Sequence, residues 1–344
     1  MNLIKPQRLR PGDTVATVSL SGGAAGQEAI KWRYQQGKAR LESVFGLQVV
    51  EMPHTMAAPD FIAAHPEARA QDMMAAFADP DIRGIISCIG GEDTLRLLPH
   101  IDFDVIRQNP KVFTGYSDTT VNHFMCYKAG LSSFYGAALL VDFAENVAMH
   151  PYTVEAVQKA LFTAEPLGEI ATAPDWTSEY LPWVIENKDT ARQFAPNQGY
   201  EVLQGSGKVQ GRLIGGCIEV FDWLRGTTLF PPIADFDGAL LFFETSEEMP
   251  PPDTLRWMLR ALAALGVFNK ASGMIFGKPY GEKYYEDYKP EILRVLAECG
   301  RGDMPVLYNA SIGHCDPHTL IPYGALAEVD CEGAGFRVLE SEVV

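Results

Sequence analysis

The stretch KVFTGYSDTTVNHF, residues 111–124, begins as an apolar strand-forming run and ends as a helix-forming one. Gly115-Tyr116-Ser117-Asp118 sits at the junction. A serine between a strand and a helix is the nucleophile-elbow arrangement, which lifts the hydroxyl above a sheet. The helix start behind it offers free N–H groups and partial positive charge to an oxyanion. Ser117 or Asp118 can equally well cap that helix. G-Y-S-D-T departs from G-x-S-x-G, so this stretch alone leaves both readings open. A serine nucleophile needs a base, and the base needs a carboxylate to orient it. Of the seven histidines, His314 in ASIGHCDPH follows an apolar run and a glycine, with His318 as its competitor. Glu244 closes GALLFFE, where a charge must either reach solvent or find a partner, while Glu247 and Glu248 fall in the loop beyond. Upstream, Gly90-Gly91 in CIGGEDT lets backbone approach a ligand closely, so an N–H there can pair with that of Asp118 as an oxyanion hole. His314, Cys315, Asp316 and His318 are conceivable metal ligands, but nothing else completes a ligand set, and no metal is expected.

Alternating elements must hold these residues in place. TVATVSL (14–20), LQVVEM (47–52), GIISCI (84–89) and KVFTG (111–115) are short apolar runs separated by helical patterns near 27–45, 67–78, 93–98 and 119–129. Nearly continuous apolar strands between helices predict a doubly wound parallel sheet, covered on both faces. The rhythm breaks around 150–210, where two tryptophans, Trp176 and Trp183, argue for an ordered insertion or lid. Strand-like GKVQGRLIGG, GALLFFE, GMIFGKP and MPVLYNA then alternate with helices, and a hairpin turning at 332–335 ends the chain. The expected division is an N-terminal α/β domain over 1–165, a linker or lid over 166–206, and a smaller mixed α/β domain over 207–344.

Composition narrows the function classes. A chain of 344 residues with a net charge of −16 is a poor match for nucleic acid or anionic lipid, both of which need a cationic surface. No apolar run approaches the roughly 20 residues of a membrane helix, and no secretory signal is visible at the start. The six scattered cysteines read as reduced thiols, and the expected compartment is the cytoplasm. A small-molecule or peptide ligand remains.

G-Y-S-D-T with its apolar lead-in, the G-G turn, LLFFE and IGHCDP together resemble the LD-carboxypeptidase family of serine peptidases, which includes the microcin C self-immunity hydrolases. The resemblance spans nearly the whole chain. It implies a cytoplasmic, metal-free and cofactor-free amide hydrolase, usually a homodimer, with its site between two domains. Ser117 then matches the nucleophile, Glu244 the acid and His314 the base, with the backbone N–H groups of Gly91 and Asp118 as the oxyanion hole. The insertion looks more like the microcin-immunity branch, so Trp176 and Trp183 could stack on a nucleobase. Cys217 stands where the family often has a polar asparagine. Glu247 and Glu248 stand where microcin-cleaving members tend to carry a basic residue. The implied substrate is a small peptide or a peptidyl- or aminoacyl-nucleotide, with a peptidoglycan tetrapeptide as the alternative. Two rivals stand outside the family: a dinucleotide enzyme using Gly22, Gly23, Gly26 and Glu51, whose spacing is irregular, and a two-lobed binding protein.

Overall fold

The computed structural model describes residues 3–344. Five parallel strands build the first sheet: β1 (Thr14–Val18), β2 (Gln48–Glu51), β3 (Ile82–Ser87), β4 (Val112–Gly115) and β5 (Phe134–Tyr135), in the order β5-β4-β3-β1-β2. α1 (Lys31–Phe45) packs with the Leu139–Phe143 turn, while α2 (Pro66–Ala78), α3 (Phe103–Gln108) and α4 (Thr120–Ala129) pack as a second group. Right-handed crossovers place the two groups on opposite faces, which is why β4 is buried along its whole length. A sixth strand, Ile321–Pro322, pairs antiparallel with β5 and comes from the far end of the chain.

The second sheet has eight strands. Its centre is four parallel strands, β8 (Lys208–Cys217), β9 (Leu240–Glu244), β10 (Gly273–Gly277) and β11 (Val306–Ala310). β6 (Gly168–Ile170) and β7 (Glu201–Gln204) form its two edges, and the terminal hairpin of β12 (Leu326–Asp330) and β13 (Gly335–Val338) lies between β6 and β8. The 166–206 stretch therefore contributes a strand at each end to this sheet. Its middle carries the two-residue pairing of Asp175–Trp176 with Ala195–Pro196, a bridge from Thr177 to Asp316 and the short 3-10 turn Ile185–Asn187. The regular rhythm also continues further than expected, because Pro151–Phe162 is a helix with proline in its first turn. No helix among the described residues is long and apolar enough to cross a membrane.

Candidate active site

Ser117 stands where β4 hands the chain to α4. It begins a short 3-10 turn, Ser117–Thr119, and its φ of 65° lies in the left-handed region. For a residue with a Cβ this costs on the order of 1 kcal/mol. The neighbours hold it there: the Thr120 hydroxyl donates to the Ser117 carbonyl at 2.7 Å, and the Ser117 N–H donates to the Tyr135 hydroxyl at 3.1 Å. Below the turn, His123 bridges the Gly115 carbonyl and Ser133, at 2.8 Å each. A carbonyl only accepts, so Nε2 carries the proton and Nδ1 accepts from Ser133. Burial pushes the His123 pKa down to about 3, which keeps this ring neutral and structural. No side-chain cap hydrogen bond is made at the start of either helical turn, so the geometry is that of an elbow rather than a serine cap.

Glu244 ends β9 with no solvent exposure. Its Oε2 lies 2.8 Å from His314 Nδ1, and its Oε1 accepts the Tyr135 hydroxyl at 2.5 Å. Burial alone would raise the Glu244 pKa, but His314 and Tyr135 bring it below the ordinary value. Gly313 makes room for this pair: at its φ of +87°, a Cβ would fall 2.2 Å from Glu244 Oε2. His314 is buried, which by itself lowers its pKa, yet Glu244, Glu247 and Glu219 together raise it to about 9. Nε2 of the same ring has no hydrogen-bond partner, and Glu247 Oε2 lies 3.2 Å away. No hydrogen bond joins Ser117 Oγ to His314 among the described residues.

The Gly90-Gly91 turn presses directly on the elbow. A Cβ on Gly90 would lie 2.8 Å from Ser117 Cβ and 3.2 Å from the Asp118 nitrogen. No backbone turn, loop or cap hydrogen bond uses the N–H of Gly91 or of Asp118. The Asp118 side chain has a task of its own. Its Oδ2 accepts from Ser21 Oγ at 2.5 Å, from the Asp93 and Thr94 N–H groups at 2.9 Å, and from Thr94 Oγ1 at 2.7 Å. That carboxylate ties the G-G turn to the elbow.

Gly91, Ser117 and His314 face one cavity of about 470 Å³, which also holds Trp183 and Glu247. Glu244 lies behind His314, and Asp118 lies beneath the elbow. Three of the expected substrate contacts are not on the cavity wall. Trp176 does not line the cavity, and Lys278 Nζ lies 4.4 Å from its ring centroid. Cys217 is buried, its N–H donating to Thr120 Oγ1 at 3.2 Å and its thiol to Glu219 Oε2 at 3.4 Å. Glu248 is exposed beside Glu247 and does not line the cavity.

The cavity also contains charges that spacing does not reveal. Arg33 is buried, with its guanidinium 4.5 Å from the Trp183 centroid and Nη1 donating to Asn146 at 2.7 Å. Arg192 pairs with Glu145 and with Asp316, the latter at 2.8 Å. His318 lies between Asp316 at 3.4 Å and Asp142 at 3.3 Å, and the Tyr116 ring separates it from His314. Asp142, Asp316 and His318 could together reach one ion, but Arg192 and His318 already balance these carboxylates. Tyr135, Arg33 and Arg192 each act across long stretches of chain, and no local pattern marks them.

Residues 15–136 match the LD-carboxypeptidase N-terminal domain model, and residues 210–329 match the LD-carboxypeptidase C-terminal domain model. The chain is 31% identical to the microcin C7 self-immunity protein MccF of Escherichia coli, covering 96% of this chain and 94% of that protein. It is 28% identical to a probable murein peptide carboxypeptidase of Bacillus subtilis, over 95% of this chain and 91% of the relative. Among solved structures, an MccF-like protein from Streptococcus pneumoniae in complex with AMP superimposes with a TM-score of 0.87 at 34% identity, covering 95% of this chain and 98% of that one. MccF in complex with aspartyl sulfamoyl adenosine gives a TM-score of 0.87 at 29% identity, over 99% and 100% of the two chains. With matched models on both halves and coverage from end to end, this chain belongs to the LD-carboxypeptidase family.

Proposed function

We propose that the protein is a serine hydrolase that cleaves an amide bond of a small peptide or of a peptidyl- or aminoacyl-nucleotide. The observation that carries this reading is the buried Glu244–His314 pair, at 2.8 Å, facing the same cavity as a serine held in the left-handed region. In the reaction, His314 Nε2 takes the Ser117 hydroxyl proton as Oγ bonds to the carbonyl carbon. The N–H groups of Gly91 and Asp118 receive the oxyanion. His314 returns the proton to the leaving nitrogen as the C–N bond breaks. Water then gives its proton to the same ring as its oxygen bonds to the acyl carbon, and the ring passes that proton to Ser117 Oγ as the C–Oγ bond breaks. Tyr116 walls the ring from the His318 side, and Glu244 stabilises the imidazolium that forms between steps.

The nucleotide side of this reading is supported by relatives solved with AMP and with aspartyl sulfamoyl adenosine, and by Trp183 on the cavity wall as a stacking surface. A carboxypeptidase acting on peptidoglycan tetrapeptide is the second reading, supported by the murein peptide relative. The 1–165, 166–206 and 207–344 division, a cytoplasmic location and a homodimeric state belong to the same proposal. A monomer in sedimentation at working concentration removes the last of these. The decisive experiment measures release of amino acid from aspartyl sulfamoyl adenosine and of D-alanine from an L,D-tetrapeptide, by the wild type and by Ser117→Ala. Turnover of one substrate, lost by at least about a thousandfold in the variant with its melting temperature preserved, is the expected result. Undiminished turnover in Ser117→Ala removes the assignment.

A further inference from the structure

Glu247 is a charged group in contact with His314 that the proposed reaction leaves unused. Its Oε2 lies 3.2 Å from His314 Nε2, while Glu244 holds the ring's other nitrogen. The two partners differ in exposure: the Glu247 side chain is 59% exposed and the His314 side chain 8%. The carboxylate thus reaches into the cavity from the loop after β9. Other acids on the wall already have partners. Arg192 takes Glu145 and Asp316, and Glu179 accepts the Gln193 N–H at 2.5 Å. Among the described residues, the cationic group that lies within 4 Å of the Glu247 carboxylate is the imidazole, whose Nε2 is buried without a hydrogen-bond partner. A proton on Nε2 is what Glu247 attracts, and a base at that position must lack it.

Resting on the hydrolase reading above, we infer that the site takes amides whose acyl residue carries a cation beside the scissile carbonyl, and that Glu247 selects it. The geometry is restrictive. The reacting carbonyl must come to about 3 Å from Ser117 Oγ with His314 Nε2 within proton-transfer reach. Substituents on the acyl α-carbon are then a few bonds from that nitrogen, within the reach of a carboxylate 3.2 Å from it. The cation can be an α-ammonium or a side-chain ammonium or guanidinium; the chemistry recognised is the same. An incoming cation replaces the imidazolium as the partner of Glu247 and repels the proton from Nε2. The charged groups facing His314 are Glu244, Glu247 and Glu219, with His318 beyond the Tyr116 ring. Of these carboxylates, Glu247 alone is exposed to an arriving ligand. An anionic acyl residue would instead meet a like charge there.

The test uses lysyl, leucyl and glutamyl conjugates of sulfamoyl adenosine, each with a free or an acetylated α-amine, on the full-length wild type, Glu247→Gln and Glu247→Lys. A side-chain cation predicts a lysyl-to-leucyl ratio of kcat/KM of roughly three to ten in the wild type, falling to about one in Glu247→Gln. An α-ammonium predicts the same change in the free-to-acetylated ratio. Glu247→Lys should favour the glutamyl over the lysyl conjugates in the first case and the acetylated over the free amines in the second. Loss of the Glu247 charge also alters His314, but that effect is common to all conjugates and cancels in the ratios. Ratios unchanged in Glu247→Gln, with turnover intact, overturn the cation inference and leave the hydrolase reading standing. The same ratios read as Kd in Ser117→Ala, with no turnover by wild type, overturn the hydrolase reading and leave the cation subsite. Binding of none of the conjugates overturns both.

Discussion

At the residue scale, the Tyr135 hydroxyl joins the two halves of the site. It accepts from the Ser117 N–H at 3.1 Å and donates to Glu244 at 2.5 Å. Burial, with Glu244 beside it, raises its pKa well above the ordinary value, so it remains a donor. Tyr135→Phe keeps the ring, which packs 5.7 Å from Phe242, but strands an N–H and a carboxylate oxygen without partners. Such buried losses cost roughly 1–3 kcal/mol each. A Glu244 that loses a donor holds the His314 proton more tightly. The surrounding carboxylates push the His314 pKa up to about 9, and the base must be neutral to act, so kcat/KM should rise with pH through that value. In Tyr135→Phe the midpoint should move up and kcat should fall at least about tenfold, with KM little changed. In Glu247→Gln, which removes a charge that raises the pKa, the midpoint should move down. A pH–rate profile identical in all three proteins would exclude both roles.

At the element scale, the strand–turn–helix at Ser117, the placement of Glu244 at the end of a buried strand and that of His314 in the loop after another were visible in the sequence. Apolar runs such as LLFFE and VLYNA must be interior, and a charge or imidazole at their carboxyl ends has little choice of position. The edge strands Gly168–Ile170 and Glu201–Gln204 were not visible, being short and only partly buried, without the alternation that marks a strand. Neither was the direction of each tryptophan: Trp176 and Trp183 lie seven residues apart in irregular chain, and spacing there says nothing about which one meets the cavity. Asp118 was legible as a backbone donor, but its buried carboxylate gathers donors from residues 21, 93 and 94, which only the fold brings together. Asp118→Asn can present an oxygen at the same point and should keep activity within about tenfold of wild type. Asp118→Ala leaves four donors unmatched, detaches the G-G turn, and should lower both kcat and the melting temperature. Equal losses in the two variants, measured by steady-state kinetics and thermal unfolding, would argue that charge rather than acceptance of hydrogen bonds holds the turn.

At the scale of the whole molecule, the site exists only because the two sheets are stitched together. Ser117 and Tyr135 come from the first sheet, and Glu244 and His314 from the ends of β9 and β11 in the second. The chain crosses back as well: Ile321–Pro322 leaves the second sheet's sequence to pair with Phe134–Tyr135, so the carboxyl-terminal half supplies an edge to the amino-terminal sheet. Next to that crossing, Ser132 Oγ donates to the Tyr323 carbonyl at 2.7 Å, and the Tyr323 hydroxyl, fully buried, donates to the Gly215 carbonyl at 2.8 Å. Unfolding the second sheet alone would strip the edge from the first and strand these polar groups in an apolar interface. Domains tied in this way should melt together rather than in sequence. Scanning calorimetry of the wild type is expected to give one transition with calorimetric and van't Hoff enthalpies in agreement. Tyr323→Phe, which removes only the bond to Gly215, should lower its midpoint without splitting it. Two resolved transitions in the wild type would mean that the halves fold as separate units and that the catalytic geometry depends on a docking equilibrium.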